Sequence, residues 1–501
     1  MSDVIWAFVL LQVAMGAFDT VYHHEFTERL AWRPSQRGEL KLHGVRSLAY
    51  AVVFAVLGWT EPHGAAAIAL IALMLAELIV TLWDFVEEDR TRRLPASERV
   101  LHTLLTLNYG VVLAMLVPVL ARWAALPTSL GLVHHGVWSW LFGTAAIGVA
   151  ASGLRDLAAA RRIGRIVPTE AAPLAAALTG RQSVLVTGGT GFIGKRLVAA
   201  LAGAGHEVTV LARSFAKAAD LPAPLRVITS LDHIPDHARI DAIVNLAGEP
   251  LADGLWTMRK RHRILRSRLQ VTRGVVTLIG RLHTPPSVLV SGSAVGWYGL
   301  RGDDVLHEAS VGTDCFSRHV CMRWETAAMA AEALGVRVVR LRIGLVLAAE
   351  GGVLSRMLTP FEYGLGGPFG AGRQWMSWIH RDDLARLIVH AIANPAMTGP
   401  VNATAPAPVT NAAFAAALGR ALGRPAKLAI PGAPLRLMLG GMAEELLLSG
   451  QRVIPQAALA SGFSFLYPEI DAALAGIAGA PSPARNAPRV RAAPQRSTSL
   501  A

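Results

Sequence analysis

Three glycines, Gly188, Gly191 and Gly194, recur at every third position in SVLVTGGTGFIGKRL. A short β-branched run precedes them and residues at helical spacing follow. Each glycine answers a physical need. One permits a tight strand-to-helix turn, one lets backbone approach a pyrophosphate, and one lets helix pack on strand. The unpaired N–H groups at the start of the helix then face the phosphate oxygens. Thr187, Phe192 and Ile193 complete this turn. The next strand, EVTVLA, ends in Ala212, Arg213 and Ser214 rather than in Asp or Glu. A carboxylate there would hold a ribose 2′-hydroxyl, whereas a guanidinium makes a paired contact with a 2′-phosphate. The residue types therefore point to NADP(H) in preference to NAD(H).

Such a turn needs a parallel sheet behind it. Further short apolar runs supply the strands: LRVIT, AIVNLAG, SVLVSGS, VRVVRLRIG and PVNATAP. Helical stretches at 256–281, 316–334 and 382–394 separate several of them. Strands alternating with helices predict an α/β, Rossmann-like, doubly wound parallel sheet over residues 183–478, with a small C-terminal substrate-side subdomain.

The longer motifs NLAGEPLADGLWT, SGSAVGWYG and GRQWMSWIHRDDLARL, with the glycine pattern, resemble the extended short-chain dehydrogenase/reductase superfamily. They are most similar to its atypical epimerase-like branch (NAD-dependent epimerase/dehydratase-like, sugar-nucleotide epimerase). The similarity runs over about 183–478 and includes a C-terminal piece typical of that branch. It implies that Gly188, Gly191, Phe192, Ile193 and Gly194 wrap the pyrophosphate. It implies that Asn245, Leu246, Ala247 and Gly248 lie along the ribose beside the nicotinamide. Ser293 matches the hydroxyl that bonds a substrate oxygen, although a strand-end turn residue would read the same way. Tyr298 and Gly299 match a tyrosine-glycine pair, and the SGSAVGWYG and WIHRDD segments fall where substrate pockets form.

One departure matters for chemistry. Reductases of this superfamily use a Tyr-x-x-x-Lys pair as a proton relay, and no tyrosine here has a lysine four residues later. In FSRHVCMRWETAAMAAEA, Cys321 takes the tyrosine's place and Glu325 the lysine's, one turn apart on one helix face. A carboxylate neighbour makes a thiol a poorer acid. Tyr298, Glu249 and Glu325 stay open as alternative proton sources. The resemblance thus implies an NADP(H)-dependent oxidoreductase or epimerase. The missing relay keeps a second reading open, a non-catalytic dinucleotide-binding sensor or scaffold.

The 182 residues before the grip have a different composition. Five apolar stretches, at about 3–20, 45–59, 64–83, 101–124 and 132–153, approach the ~20 residues that cross a bilayer as a helix. GAAAIALIALMLAELIVTLW has no polar face, which argues against a bundle in water. The first stretch lacks a basic leader and a small-residue cleavage site, so it reads as retained. Arginine and lysine crowd alternate loops (Arg29 to Lys41, Arg90 to Arg99, Arg155 to Arg165), while TEPHG has none and the loop near Arg122 has one. The positive-inside rule then puts the N-terminus outside and everything after residue 155 in the cytoplasm. The expected organisation is a five-span domain over 1–157, a linker over 158–182, the Rossmann domain over 183–478 and a disordered basic tail over 479–501.

Polar residues within the spans stand out. Glu77 lies at a depth similar to Gln12, Tyr50, Asn108 and Tyr109, which predicts a shared polar layer. Asp19, His23, His24, His43, Asp84 and His102 lie nearer the cytoplasmic side. They are expected to reach headgroups and water, and with no ExxH pair or similar spacing, no metal site is expected.

A net charge of +13 comes without a basic stripe interleaved with aromatics, so nucleic acid is not an expected partner. Anionic membrane lipids are the expected counter-charge, and Arg485, Arg489, Arg491 and Arg496 could rest on them. Cys315 and Cys321, the two cysteines, have no metal-ligand spacing and imply no disulfide framework. The expected substrate is a small molecule or a lipid-linked one. Extended members of the superfamily are often dimers, which leaves a homodimer open.

Overall fold

The computed structural model describes residues 1–166 and 169–480. The chain divides into two compact units, Met1–Val167 and Pro168–Ala501. The expected disorder of the basic tail, with its headgroup contact, falls on residues 481–501 and lies outside the described residues.

The first unit is helical. Its five long helices are α1 (Asp3–Phe18), α2 (Arg37–Trp59), α3 (Ala65–Thr91), α4 (Ala96–Ala124) and α5 (Val137–Ile163). All five segments are long and apolar enough to cross a membrane. Several run past the apolar stretches, because polar residues at their ends find partners on neighbouring helices. The first continues beyond α1 as a wider-wound π-helical segment, Asp19–Glu28, which Arg29 ends in a left-handed conformation. The two short loops without basic clusters contain β1 (Thr60–His63) and β2 (Ser129–Leu132), which pair antiparallel. That pairing puts both loops at one end of the unit.

Trp6, Leu57, Leu116, Leu120 and Phe142 fill the interior of this unit. Large apolar side chains also point outward: Ile68, Leu75, Ile79, Leu107 and Ile147 are all more than half exposed. The bundle is therefore apolar on both its inner and outer surfaces. Where α2 and α5 cross, glycines let the backbones approach. A Cβ on Gly153 would stand 2.9 Å from the Gly44 carbonyl oxygen. The expected polar layer forms as a group of three around Glu77 and a separate pair. Tyr109 Oη donates to Glu77 (2.7 Å), as does Thr81 (2.6 Å), and Asn108 Nδ2 donates to Gln12 (2.8 Å).

The described residues of 158–182 carry two pieces of regular structure. Helix α5 takes the first of them, and a short 3-10 turn, Ala172–Ala175, buries Leu174 and Ala175 in the core of the second unit. Two small apolar residues docked beside a helix are invisible to a composition argument.

The second unit is built on seven parallel strands. These are β3 (Ser183–Thr187), β4 (Glu207–Leu211), β5 (Arg226–Ile228), β6 (Ala242–Asn245), β7 (Val288–Ala294), β8 (Arg337–Ile343) and β9 (Gly399–Ala403). Their order is β9-β8-β7-β6-β3-β4-β5, so the direction of winding reverses between β3 and β6. Helices α6 (Phe192–Gly203) and α9 (Arg381–Ala393) cover one face, where Val184, Val186, Leu197, Leu201, Leu384 and Ile388 pack. Helices α7 (Met258–Arg281) and α8 (Phe316–Met329) cover the other, against Leu185, Ile243, Leu289, Val338 and Ile279. Burial on both faces is why these strands read as continuous apolar runs instead of alternating ones.

Candidate functional site

Ligands in an open parallel sheet bind outside the carboxyl ends of the strands, where the winding reverses. Here that place is between β3 and β6, and the glycine turn occupies it. Gly188 has a positive φ of 71°, and a Cβ there would lie 2.8 Å from the Ala247 nitrogen just after β6. Gly194 is more confined: its Cβ would meet the Gly188 carbonyl oxygen at 2.2 Å. Gly191 differs. It is the N-cap of α6 and offers no side-chain cap to the first turn, and the nearest atom to its Cβ is the Gly188 oxygen at 3.2 Å. Among the described residues, and its own chain neighbours aside, no other atom lies within 4 Å of that Cβ position. Arg213 is exposed just beyond β4, with Ser214 beside it.

Asn245 is the last residue of β6. Its side chain is fully buried, accepting from Thr187 (2.7 Å) and donating to Thr272 (2.8 Å) and Ser291 (3.3 Å). It ties β3, β7 and α7 to the end of β6. The chain that runs beside Gly188 is the backbone of Leu246 and Ala247, with Ala247 N donating to the Thr187 hydroxyl.

Four of the five predicted catalytic side chains converge, through a residue the sequence reading missed. Ser293, near the carboxyl end of β7, donates to Glu325 Oε1 on α8 (2.7 Å). Arg342 on β8 donates to both Glu325 oxygens (3.0 and 3.2 Å) and to Tyr298 Oη (3.2 Å). Tyr298 in turn donates to Asn402 Oδ1 (2.6 Å) and is completely buried. Cys321 lies one turn before Glu325, its thiol donating toward the Ala294 carbonyl at 3.6 Å. The signal for Arg342 was in the sequence. An arginine inside VRVVRLRIG, a run largely buried, needs partners: Arg342 finds a carboxylate, and Arg337 the carbonyls of Ala391, Ile392 and Met397.

These partners change what each group can do. Glu325 is a buried ion pair with Arg342, with each side chain about 3% exposed or less, and is not a free proton carrier. Burial holds the Tyr298 hydroxyl above its ordinary range, against the lowering pull of the Arg342 charge and hydrogen bond. Burial, then the Glu325 charge, pushes the Cys321 thiol up to about 11. Glu249 stands apart, with its side chain 26% exposed and accepting from Lys260 Nζ at 2.8 Å. That hydrogen bond keeps its carboxyl below the usual range. Glu249 is thus the one predicted acid-base residue that remains both ionised and partly open. The protonated, buried Cys321 should resist alkylation at neutral pH and react only on unfolding. Mass-spectrometric mapping of maleimide adducts on native protein checks this, and prompt labelling of Cys321 would contradict the geometry.

The polar residues of the WIHRDD segment hold neighbouring elements together. His380 caps α9 by accepting from Asp382 N, and burial drops its imidazole to about 4. Asp382 pairs with Arg196 of α6 at 2.6 Å, and Asp383 accepts from the backbone of Leu466 and Tyr467. The segment clamps α6 and the C-terminal residues to α9. A cavity of about 640 Å³ has a lining that includes Leu300, Asp303, Arg373, Trp375 and Arg436. It begins two residues beyond Tyr298 and belongs to the C-terminal subdomain side.

A reversing parallel sheet, a glycine turn at the reversal and a serine at the end of β7 define a nucleotide-binding α/β protein of short-chain dehydrogenase/reductase type. Comparison with known proteins narrows the class. The model of the NAD dependent epimerase/dehydratase family matches residues 184–403, and a domain model of unknown function matches 430–477. An epimerase family protein SDR39U1 homolog, chloroplastic, from Arabidopsis thaliana is 41% identical over 304 residues, 59% of this chain and 87% of the relative. Epimerase family protein Mb2239 of Mycobacterium bovis is 39% identical over 58% of this chain and 96% of its own length. The crystal structure of human epimerase family protein SDR39U1 (isoform 2) with NADPH superposes with a TM-score of 0.54 at 37% identity, covering 59% of this chain and 99% of that one. The chain belongs to the NAD dependent epimerase/dehydratase family. Its first 183 residues lie outside both matched family models.

Proposed function

We propose that this chain is a membrane-tethered, NADP(H)-dependent oxidoreductase or epimerase that works at the cytoplasmic face on a lipid-soluble or lipid-linked substrate. The observation that carries the nucleotide reading is the open Gly191 face at the sheet reversal, with Arg213 exposed beyond β4. The similar human protein was crystallised with NADPH, which favours the phosphorylated cofactor. Gly188, Gly191 and Gly194 would hold the pyrophosphate, with Phe192 and Ile193 contributing backbone N–H groups. Arg213 and Ser214 would meet the 2′-phosphate, and the backbone from Leu246 to Gly248 would flank the ribose. The bound nucleotide would supply or accept a hydride. Ser293 would orient a substrate oxygen, and Glu249 with Lys260 would handle the proton. Membrane attachment is supported by the outward apolar side chains of the helical unit and by the alternation of basic loops. A tether raises the local concentration of a substrate that stays in the bilayer.

Arg213→Glu is expected to weaken NADPH binding about 10–100-fold, or roughly 1.4–2.7 kcal/mol, while changing NADH binding little. Titration of the two nucleotides checks it, and equal losses for both would remove Arg213 from the 2′-phosphate.

A second reading, a nucleotide-binding sensor or scaffold, is favoured by one observation: the relay position is a buried Glu325–Arg342 ion pair. The two readings separate when the full-length protein in detergent is incubated with C4-deuterated NADPH and a membrane lipid extract. Deuterium in a lipid product supports the enzyme. Bound cofactor that keeps all its label supports the sensor.

A further inference from the structure

The polar residues near one end of the helical unit do not reach outward. Asp19, His24, Glu39, His43, Glu88 and Glu98 are each less than 9% exposed, and they face one another. They form two overlapping sets, Asp19–His24–Glu98–His102 and His24–Glu39–His43–Glu88, with one donor atom from every residue of a set within 4.8 Å of the others. We propose that this cluster binds a divalent first-row transition-metal ion through Asp19, His24, Glu98 and His102, with Glu39, His43 and Glu88 extending the site toward a second ion. The proposal is independent of the nucleotide reading and reverses the expectation of no metal.

Three observations carry it. First, His24 Nε2, His43 Nε2 and Glu88 Oε1 are buried and make no hydrogen bond. An orphaned buried donor or acceptor costs about 1–3 kcal/mol, so such groups normally have a partner. A protonated His24 would need an acceptor in line with Nε2, and it has none. His43 Nε2 stands 2.9 Å from Asp84 but in an orientation that makes no hydrogen bond. Second, the spacings suit donors around an ion. His24 Nε2 lies 3.4 Å from Asp19 Oδ2 and 3.6 Å from Glu98 Oε1, and His43 Nε2 lies 3.6 Å from Glu88 Oε1. Metal bonds of about 2.1 Å at tetrahedral angles put neighbouring donors about 3.4 Å apart. Third, charge is unbalanced. Arg46 pairs with Asp84, and Arg92 with Glu39 and Glu98, so two guanidiniums answer five buried carboxylates, while Asp19 and Glu88 lie beside His23 and His102. Histidine protons are a poor remedy for His24 and His43, whose rings stack at 4.5 Å and 8°. Two imidazoliums so placed would repel.

The supporting structure also fits. His23 Nδ1 holds Asp19 Oδ1 at 2.8 Å while its Nε2 meets Ser97, the kind of outer contact that orients a ligand. Asp19 and His24 sit on a π-helical segment, a widening of the helix that recurs at functional sites. Imidazole with carboxylate suits zinc, iron(II) or manganese(II).

The test uses the full-length protein in detergent. Metal content is measured as purified, the protein is stripped with a chelator, and Co²⁺ is titrated in. The expected result is at least one equivalent of Co²⁺ bound, with visible d–d absorption and a raised unfolding temperature. His24→Ala and His102→Gln should each weaken Co²⁺ more than about 100-fold, beyond the ~10–100-fold typical of an outer contact. His134→Ala, at an exposed position away from the cluster, should leave the absorption intact. If neither cluster variant can be purified, the wild-type titration decides. Stripped wild type that takes up no Co²⁺ would overturn the proposal and leave a network of ion pairs. So would variants that bind Co²⁺ as wild type does.

Discussion

Gly191→Ala is expected to keep the fold and lose the nucleotide, whereas Gly194→Ala is expected to lose both. A methyl on Gly191 would find only the Gly188 oxygen, at 3.2 Å, and otherwise would enter the space where a pyrophosphate must approach. A methyl on Gly194 would stand 2.2 Å from the Gly188 oxygen and 2.7 Å from the Gly189 Cα. Both of these are backbone atoms, so relief requires the turn itself to move away from β3 and α6. For Gly191→Ala the expected loss of NADPH affinity exceeds about 100-fold, or roughly 2.7 kcal/mol, with the unfolding temperature nearly unchanged. For Gly194→Ala the unfolding temperature falls as well. Calorimetric titration beside thermal unfolding reads the two effects separately. A Gly191→Ala protein that binds NADPH normally would remove the pyrophosphate from this turn.

The second large effect concerns the network beneath the site. Glu325→Ala is expected to destabilise the protein by about 3–5 kcal/mol, because it strands the Arg342 guanidinium without its carboxylate. Ser293 loses its acceptor in the same change. At roughly 2–4 °C per kcal/mol, the unfolding temperature should drop on the order of 10 °C. Replacing both charges, with Glu325→Gln and Arg342→Met together, should recover much of the loss, since removing a whole buried pair costs less than breaking one. Thermal unfolding of the full chain, followed by near-UV circular dichroism, checks both. A Glu325→Ala protein as stable as wild type would mean that the pair is solvated and that Glu325 is free to carry protons after all.

The outline of the nucleotide-binding unit was legible because its signals are local. Seven short β-branched runs became seven strands, and the glycine spacing marked the turn between β3 and α6. What was not legible depends on contacts between distant residues. Ser293 and Glu325 are 32 positions apart, and Arg342 reaches Tyr298 from 44 away. No periodicity announces that an arginine on β8 sits opposite a carboxylate on α8. The partners within the WIHRDD segment are distant too: Asp382 reaches Arg196 from 186 positions away, and Asp383 reaches Leu466 from 83.

In the helical unit the polar positions were visible, but their direction was not. Asp19, His43 and His102 read as interfacial residues reaching for headgroups, and the structure turns them inward. A signal for this was present: Glu39 and His43, Asp84 and Glu88, and Glu98 and His102 are all four residues apart, one turn on one helix face. Three such pairs on three helices define a common polar seam that an ExxH search passes over.

The nucleotide site bears most of the functional reading, so its direct test is binding itself. The full-length protein in detergent, shown folded by its unfolding transition, is titrated with NADPH and then with NADH. NADPH should bind with one site per chain and at least about tenfold more tightly than NADH, a gap of roughly 1.4 kcal/mol. Folded protein that takes up neither nucleotide, or that prefers NADH, would contradict the account at its base.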